Sequence, residues 1–554
     1  MAGIPVANLN ELLVLIASHI PYRADLRSLC LVCRRLCDAT LPVLYEDLRI
    51  AARRTAKEDI LDCVVDSLER IPLRRLRYTK HVCLYTVLNR PSRCIHDVSK
   101  VTGVPMIEEE EEEKVYGRLL RALDVVLSAI PKDALLTFRW DMKSCLPQDL
   151  FSNVRGLMGN QRHVRALEFH TDVCCSKSTG ADYPIDVSCL QNLQSLTWRG
   201  PRQGKDFELI RKCLRSSSNI KTLNLALWWY EEDEEFISPS FLFLKRRDKY
   251  LIRDVLGIQE EGMNQPLPSL ETLSLGPVSF YGMEADIACA LNLERLRTLK
   301  LQNCPGCFGL LEALAESTKK PLRLTTLEIT LNLSINNRKL RRFDNIPAAF
   351  SRFLRAFHSL ENLFLFLPKR ILAGIDADAI LNNHPGLRRL LIHGFVYREL
   401  TVADSNGVPD NLFQPLLTGS SIMCVGARLH VRTMIERWKK LSPRPLCKLL
   451  HLRVRPDPGF IQGPEPITQN RDRLINTGLI SMLDFTKWAF SDDGLPELQV
   501  LAWGMFSRDT PLDNNMLFCR SEDGFKPLTR ADVYAWDFFQ QNMDMLTLTH
   551  DQNY

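Results

Sequence analysis

The chain has 554 residues, 45% of them hydrophobic and 25% charged, with a formal net charge of +5. That balance is ordinary for a folded, soluble protein; so weak a surplus over this length gives no ground for a nucleic-acid binder, and no apolar run approaches the roughly 18 residues a membrane-spanning helix needs. Seventeen cysteines without a secretory leader point to reduced thiols in cytoplasm or nucleus, since residues 12–20 follow Glu11, lack a basic flank and are interrupted by His19.

The first predicted element is a helical hairpin over residues 11–39, "ELLVLIASHIPYRADLRSLCLVCRRLCDA". Leu12, Leu13, Leu15, Ile16, His19 and Ile20 form one apolar face at helical spacing. Pro21 stops this helix, and Asp25 is placed to cap the next. Leu26, Leu29, Cys30, Val32, Cys33, Leu36 and Cys37 again recur at steps of three and four. A piece of about 40–50 residues with so much leucine cannot build a core alone, so it needs either the rest of the chain or a foreign groove. At these residues the chain resembles the F-box, the adaptor-binding module of SCF-type cullin–RING ubiquitin ligases. The resemblance runs through Asn8-Leu9-Asn10-Glu11, Leu12-Leu13, Ile16, Ile20-Pro21, Asp25-Leu26, Leu29 and Val32-Cys33-Arg34, and closes in "LPVLYEDL" at 41–48. It departs where the family places an opening Leu-Pro, here Asn8-Leu9, and a late aromatic, here Leu36. The resemblance implies an adaptor-binding set of Leu9, Leu12, Leu13, Ile16, Ile20, Pro21, Leu26, Leu29, Val32, Cys33 and Leu36. The alternative is that the hairpin merely caps the repeats that follow.

Next comes a connecting region, 51–117, with a weak repeat copy at Thr79 ("TKHVCL") and a glutamate run, Glu108 to Glu113, expected to be an exposed, mobile loop because like charges repel. From there one phrase returns: apolar, two variable, apolar, one variable, apolar. A weak copy starts at Asp133 ("DALLTF"). Full copies begin at Val164, Leu193, Ile220, Leu270, Leu296, Leu324, Leu360, Leu387, Leu449 and Leu498. Steps such as 164 to 193 (29), 193 to 220 (27) and 296 to 324 (28) match the leucine-rich-repeat period of roughly 20–29 residues. Each phrase predicts a short strand, and the residues after it a helical or irregular return leg, as at 207–215, 310–316 and 348–356. No repeat buries its own apolar face, so the stack is the folding unit. The asparagine usual at the end of such a phrase is replaced by Asp172, Pro201, Val278 and Cys304. The fold expected is α/β: a helical module at 1–50, an irregular leucine-rich-repeat solenoid over 118–505 with insertions near 226–268 and 394–445, and a cap or tail at 506–554. Residues 456–470 read as loop.

On the strand face away from the core most copies carry bland residues. Phe364, Phe366, Arg389, Leu391, His393, Arg453 and Arg455 differ, an aromatic centre with an arginine border, and are expected to bind a protein substrate. The competing expectation is that residues 394–445 cover them as core. Together with the repeats, the resemblance implies a substrate receptor with no active site or cofactor of its own, whose partners are the adaptor, cullin through it, and a protein substrate, with neither nucleic acid nor membrane involved. An interaction scaffold of the same fold is the alternative. The pair in "CPGC" at Cys304 and Cys307 lacks the second pair of ligands a zinc site needs, and no phosphate loop or nucleophile elbow is present. "KRRDK" at 245–249 reads as a solvated loop.

Overall fold

The structure, a computed structural model, describes residues 6–20, 22–52, 60–86, 109–142, 146, 157–171, 190–201, 205–227, 249–258, 267–317, 322–331, 345–395, 410–418, 422–428, 431–453, 482–504, 506 and 515–547. They fall into two compact units, Met1–Glu235 with Tyr250–Leu270, and Phe236–Lys249 with Glu271–Tyr554.

The first unit opens with three helices, α1 (Val6–Ser18), α2 (Arg23–Val32) and α3 (Arg34–Leu44). The predicted second helix is thus two: Cys33, extended at φ −159° and ψ 162°, breaks it, with no proline or glycine to announce the break. Asp25 does not cap α2. Tyr22 holds that position, and Asp25 lies in the first turn, where a carboxylate favours the positive end of the helix. Six parallel strands follow: β1 (Asp47–Ala52), β2 (His81–Thr86), β3 (Thr137–Asp141), β4 (Ala166–His170), β5 (Ser195–Arg199) and β6 (Thr222–Ala226). Their register lines up two core columns, Leu48–Val82–Phe138–Leu167–Leu196–Leu223 and Ile50–Leu84–Trp140–Phe169–Trp198–Leu225. Each fully buried side chain of this kind contributes about 1.5–3 kcal/mol, and neighbouring strands share the burial, so the stack and not the single strand is stable. Register corrects two sequence readings. The copy assigned to Asp133 is set by Leu135, Phe138 and Trp140, and "YEDLRI" from Tyr45 supplies a first strand where only the end of the helical module was expected. Five of the six glutamates at 108–113 lie not in a loop but at the start of helix Glu109–Ala129, where negative charge suits the helix dipole.

In the second unit eight strands run parallel: β7 (Thr272–Gly276), β8 (Thr298–Gln302), β9 (Thr326–Thr330), β10 (Asn362–Pro368), β11 (Arg389–Phe395), β12 (Cys424–Arg428), β13 (Leu449–Arg453) and β14 (Val500–Trp503). β15 (Met516–Ser521) pairs antiparallel with β14, and β16 (Gly524–Pro527) antiparallel with β15. The core columns here are Leu273–Leu299–Leu327–Leu363–Leu390–Val425–Leu450–Leu501 and Leu275–Leu301–Ile329–Leu365–Ile392–Ala427–Leu452–Trp503. Return legs form helices Lys205–Ser216, Cys307–Glu316 and Ile346–Arg355, close to the predicted spans. The insertion expected near 394–445 holds a complete further repeat, helices Asp410–Thr418 and Val431–Lys439 around β12. Its phrase starts at Ile422 and was hidden by Gly426 and Ala427, which are too small to read as strand. The next phrase is set by Cys447, Leu450 and Leu452, two residues before the predicted start. Of the insertion near 226–268, residues 249–258 pack into the first unit, apart from Lys249, which belongs to the second. Leu251–Leu256 is a buried π-helical turn packed on helix Lys205–Ser216. Residues 228–248 and 456–470 lie outside the described residues.

Candidate functional site

The helical module is held together and to the first strands by polar ties at its ends. Arg35 Nε donates to Asn10 Oδ1 at 3.1 Å, joining α3 to α1. The Arg23 guanidinium donates to the Asp47 carbonyl, Thr79 Oγ1 to the Tyr45 carbonyl at 2.9 Å, and Arg75 lies 5.5 Å over the Tyr45 ring. Ala17, Leu26 and Ala39 fill the small interior. That interior is too small for the leucines supplied. Leu12, Leu15 and Ile16 on α1 remain 50%, 55% and 50% exposed, and Leu31 and Val32 at the end of α2 remain 87% and 67% exposed. Of the sequence-predicted set, Leu12, Ile16, Val32 and Cys33 are exposed, Leu13, Ile20, Leu29 and Leu36 are half-buried, and Leu26 is buried and so corrected to a core residue. Pro21 lies outside the described residues, as does the side chain of Leu9. Leu15 and Leu31 were missed; each sits beside a position in the family pattern without being part of it.

The proposed substrate surface of the second unit is corrected more deeply. Register places Phe364, Leu391 and Gly426 side by side on the strand face opposite the core columns. Yet Phe364 and Leu391 are each 2% exposed and His393 is fully buried. Among the described residues the cover is the end of the chain, helices Val533–Gln541 and Met543–Thr547. Phe539, Met545 and Leu546 pack with Phe364, Leu391, Cys424, Leu449, Val500, Ala502 and Phe506 in one apolar cluster. Gly426 is required there: a Cβ on it would stand 2.1 Å from Leu391 Cδ1 and 3.1 Å from Met545 Cε. Arg389, taken for a binding border, donates to both Asp544 oxygens at 2.8 and 2.9 Å and to Asn362 Oδ1 at 2.6 Å. It clamps the cover. Phe366 is half-buried, 6.1 Å from the His393 ring. Arg455 and the side chain of Arg453 lie outside the described residues.

The strand face of the first unit is different. Its positions are His81, Cys83 and Tyr85 on β2, Arg139 and Asp141 on β3, Glu168 and His170 on β4, Thr197 and Arg199 on β5, and Asn224 on β6. His170 Nδ1 and Asp141 Oδ1 are 3.0 Å apart, the Arg139 guanidinium pairs with Asp141, and it reaches Glu168 Oε2 at 3.5 Å. Burial alone would push the Asp141 carboxyl up. Hydrogen bonding and charge from His170 and Arg139 override it and hold the group well below the usual carboxylate range. His81 Nδ1 and Thr137 Oγ1 lie 2.8 Å apart. Such a face offers donors and acceptors on adjacent strands, suited to a polypeptide segment laid across it.

Cys304 and Cys307 are buried. Cys304 Sγ donates to the Leu275 carbonyl at 3.3 Å, taking the part of the missing asparagine, and burial pushes its thiol up to about 12. Thr171 does likewise one residue before Asp172, with Oγ1 donating to the Gly200 carbonyl at 2.7 Å and accepting from Trp198 Nε1 at 2.9 Å. Among the described residues no three His, Cys, Asp or Glu side chains are placed to hold a metal ion, and no helix is long and apolar enough to cross a membrane.

No protein-family model matches this chain. No curated protein matches it either. Among solved structures, an internalin from Listeria monocytogenes is similar over 76% of this chain and 95% of its own, at 13% identity and a TM-score of 0.26. A score that low adds nothing to the leucine-rich-repeat arrangement already given by strand order and register.

Proposed function

We propose that the chain is a substrate-receptor subunit of an SCF-type cullin–RING ubiquitin ligase, acting in cytoplasm or nucleus. In this reading α1–α3 are an F-box that docks on the adaptor and, through it, on cullin, and the strand ladder holds a protein substrate. The observation that carries it is the apolar surface of Leu12, Leu15, Ile16, Leu31 and Val32, left in water by a module whose own interior is already filled. Large apolar side chains left exposed on one small module, on α1 and again at the end of α2, are the mark of an interaction site, and they fall within the stretch that keeps F-box register from Glu11 to Arg34. Since the second unit's strand face is occupied by its own C-terminal helices over β10–β14, the open strand face of the first unit is the better substrate surface. The chain then supplies no catalytic group. It raises the effective concentration of a substrate lysine near a ubiquitin-conjugating enzyme carried by the same assembly.

The test is recovery of adaptor and cullin with the full-length chain. Both are expected with the parent. Ile16→Asp and Leu31→Asp, each placing a carboxylate in an apolar contact, are expected to weaken adaptor capture by at least about tenfold, some 1.4 kcal/mol, with unchanged circular dichroism. Variants that bind as well as the parent would sink the F-box reading. Adaptor without cullin would instead identify an interaction scaffold of the same fold.

A further inference from the structure

The corner between α2 and α3 brings together thiols that the proposed function does not use. Cys33 is the single extended residue between the two helices, so the chain folds back on itself there, and α2 packs along α3. Cys30 lies three residues before the corner and Cys37 four after it, one on each of the two helices that pack there. Both are free and half-buried, and Cys37 is the neighbouring ionisable group that acts most on Cys30. Cys33 itself is exposed, its Sγ accepting from Leu36 N at 3.5 Å as the cap of α3. Of the other described cysteines, Cys63 and Cys83 are half-buried and Cys289 is exposed, while Cys213, Cys304, Cys307, Cys424, Cys447 and Cys519 are buried.

We infer that Cys30 and Cys37 are a reversible oxidation site, a pair of thiols that closes into a disulfide stapling α2 to α3. With oxidised glutathione as oxidant, the half-buried Cys37 thiol first takes one glutathionyl group and releases one glutathione. The Cys30 sulfur then attacks that mixed disulfide, forming the Cys30–Cys37 bond and releasing the second glutathione. Two S–H bonds are lost, and both electrons and both protons leave with the two glutathiones. Burial and the adjacent Cys37 push the Cys30 thiol up, so closure is slow at neutral pH and quickens as pH rises. The staple fixes the angle at the corner, and with it the position of Leu31 and Val32 relative to α3.

The full-length chain is equilibrated across a series of oxidised-to-reduced glutathione ratios, quenched with an alkylating reagent and digested without reduction. A Cys30–Cys37 linked fragment is expected, lost on adding reductant, retained in Cys33→Ser and absent from both Cys30→Ser and Cys37→Ser. The inference is overturned if Cys30 and Cys37 still take up alkylating reagent separately at the most oxidising ratio, or if Cys33 is the bridging partner. Mapping the parent alone decides this should a serine variant fail to fold. It reads the thiols whether or not an adaptor binds, so its failure is distinct from failure of the F-box reading.

Discussion

The two units use the same backbone ladder and treat its second face in opposite ways. In the first unit the off-core positions of β3 to β6 are charged or polar, with Arg139, Asp141, Glu168, His170, Thr197 and Asn224 half-buried. In the second unit the corresponding positions from β10 onward are Phe364, Leu391, Gly426, His451 and Ala502, and Phe539, Met545 and Leu546 pack with Phe364, Leu391 and Ala502. The core columns are of the same kind in both. What separates a receptive strand face from an interior is the alternate residue in each strand and what the rest of the chain lays over it. Strands buried on both faces become continuous apolar runs, as in residues 363–367, "LFLFL", while strands with one wet face keep strict alternation, as in "ALEFH" at 166–170.

The sharpest way to break this contrast is to empty the second unit's cover. Phe539→Ala or Phe364→Ser should cost about 3–5 kcal/mol, as large-to-small changes in a packed core do, read as a lower midpoint in urea unfolding. A Phe364→Ser chain of unchanged stability would restore that face as an exposed surface. Acid should separate the units next. Burial lowers His384, its ring tilted against Phe357 with centroids 4.8 Å apart, to about 4, so the folded second unit excludes a proton that the unfolded chain binds near 6.5. That contribution, about 3 kcal/mol, is fully present above pH 6.5 and lost as pH falls toward 4. Asp141 is held low, so its contribution persists through that window and fades only below the ordinary carboxylate range. Hydrogen exchange followed from pH 7 to 4.5 should show the second unit loosening first, and His384→Asn should flatten the difference. The smallest effect is expected in the first unit. Glu168→Gln should shift stability by no more than about 0.5 kcal/mol, because its side chain is 44% exposed, while weakening capture of whatever protein the face holds.

Much of the ladder was legible because the period of two leaves a residue no choice of face: once Leu196 points inward, Trp198 must, and Thr197 cannot. The repeat around β12 was not legible, because Gly426 and Ala427 carry too little apolar surface to announce a strand; at Gly426 that smallness answers to Leu391 and Met545 standing opposite. The break at Cys33 left no mark either, since an extended φ is open to any residue. The binding face misread at Phe364 shows what local pattern lacks. Sequence tells that a side chain is off the core, and only tertiary packing tells that Phe539, far along the chain, returns to cover it. At the N-terminus Leu12, Ile16 and Val32 were read as available and are exposed, whereas Leu26, at the same helical spacing, faces the three-helix interior.

The reversal of strand direction at β15 has a consequence for assembly. A one-strand-per-turn ladder carries no internal stop: its last parallel strand offers amides and carbonyls that another copy's strand would fit. Here β14 is instead met by a hairpin running the other way, pinned by Arg520, whose guanidinium donates to the carbonyls of Phe490, Leu495, Pro496 and Leu498. The outermost strand is four residues long, ends at Pro527 and carries Lys526, the features by which natural sheets refuse edge-to-edge growth. The described sheet is thereby closed at that edge against pairing with a strand of another copy.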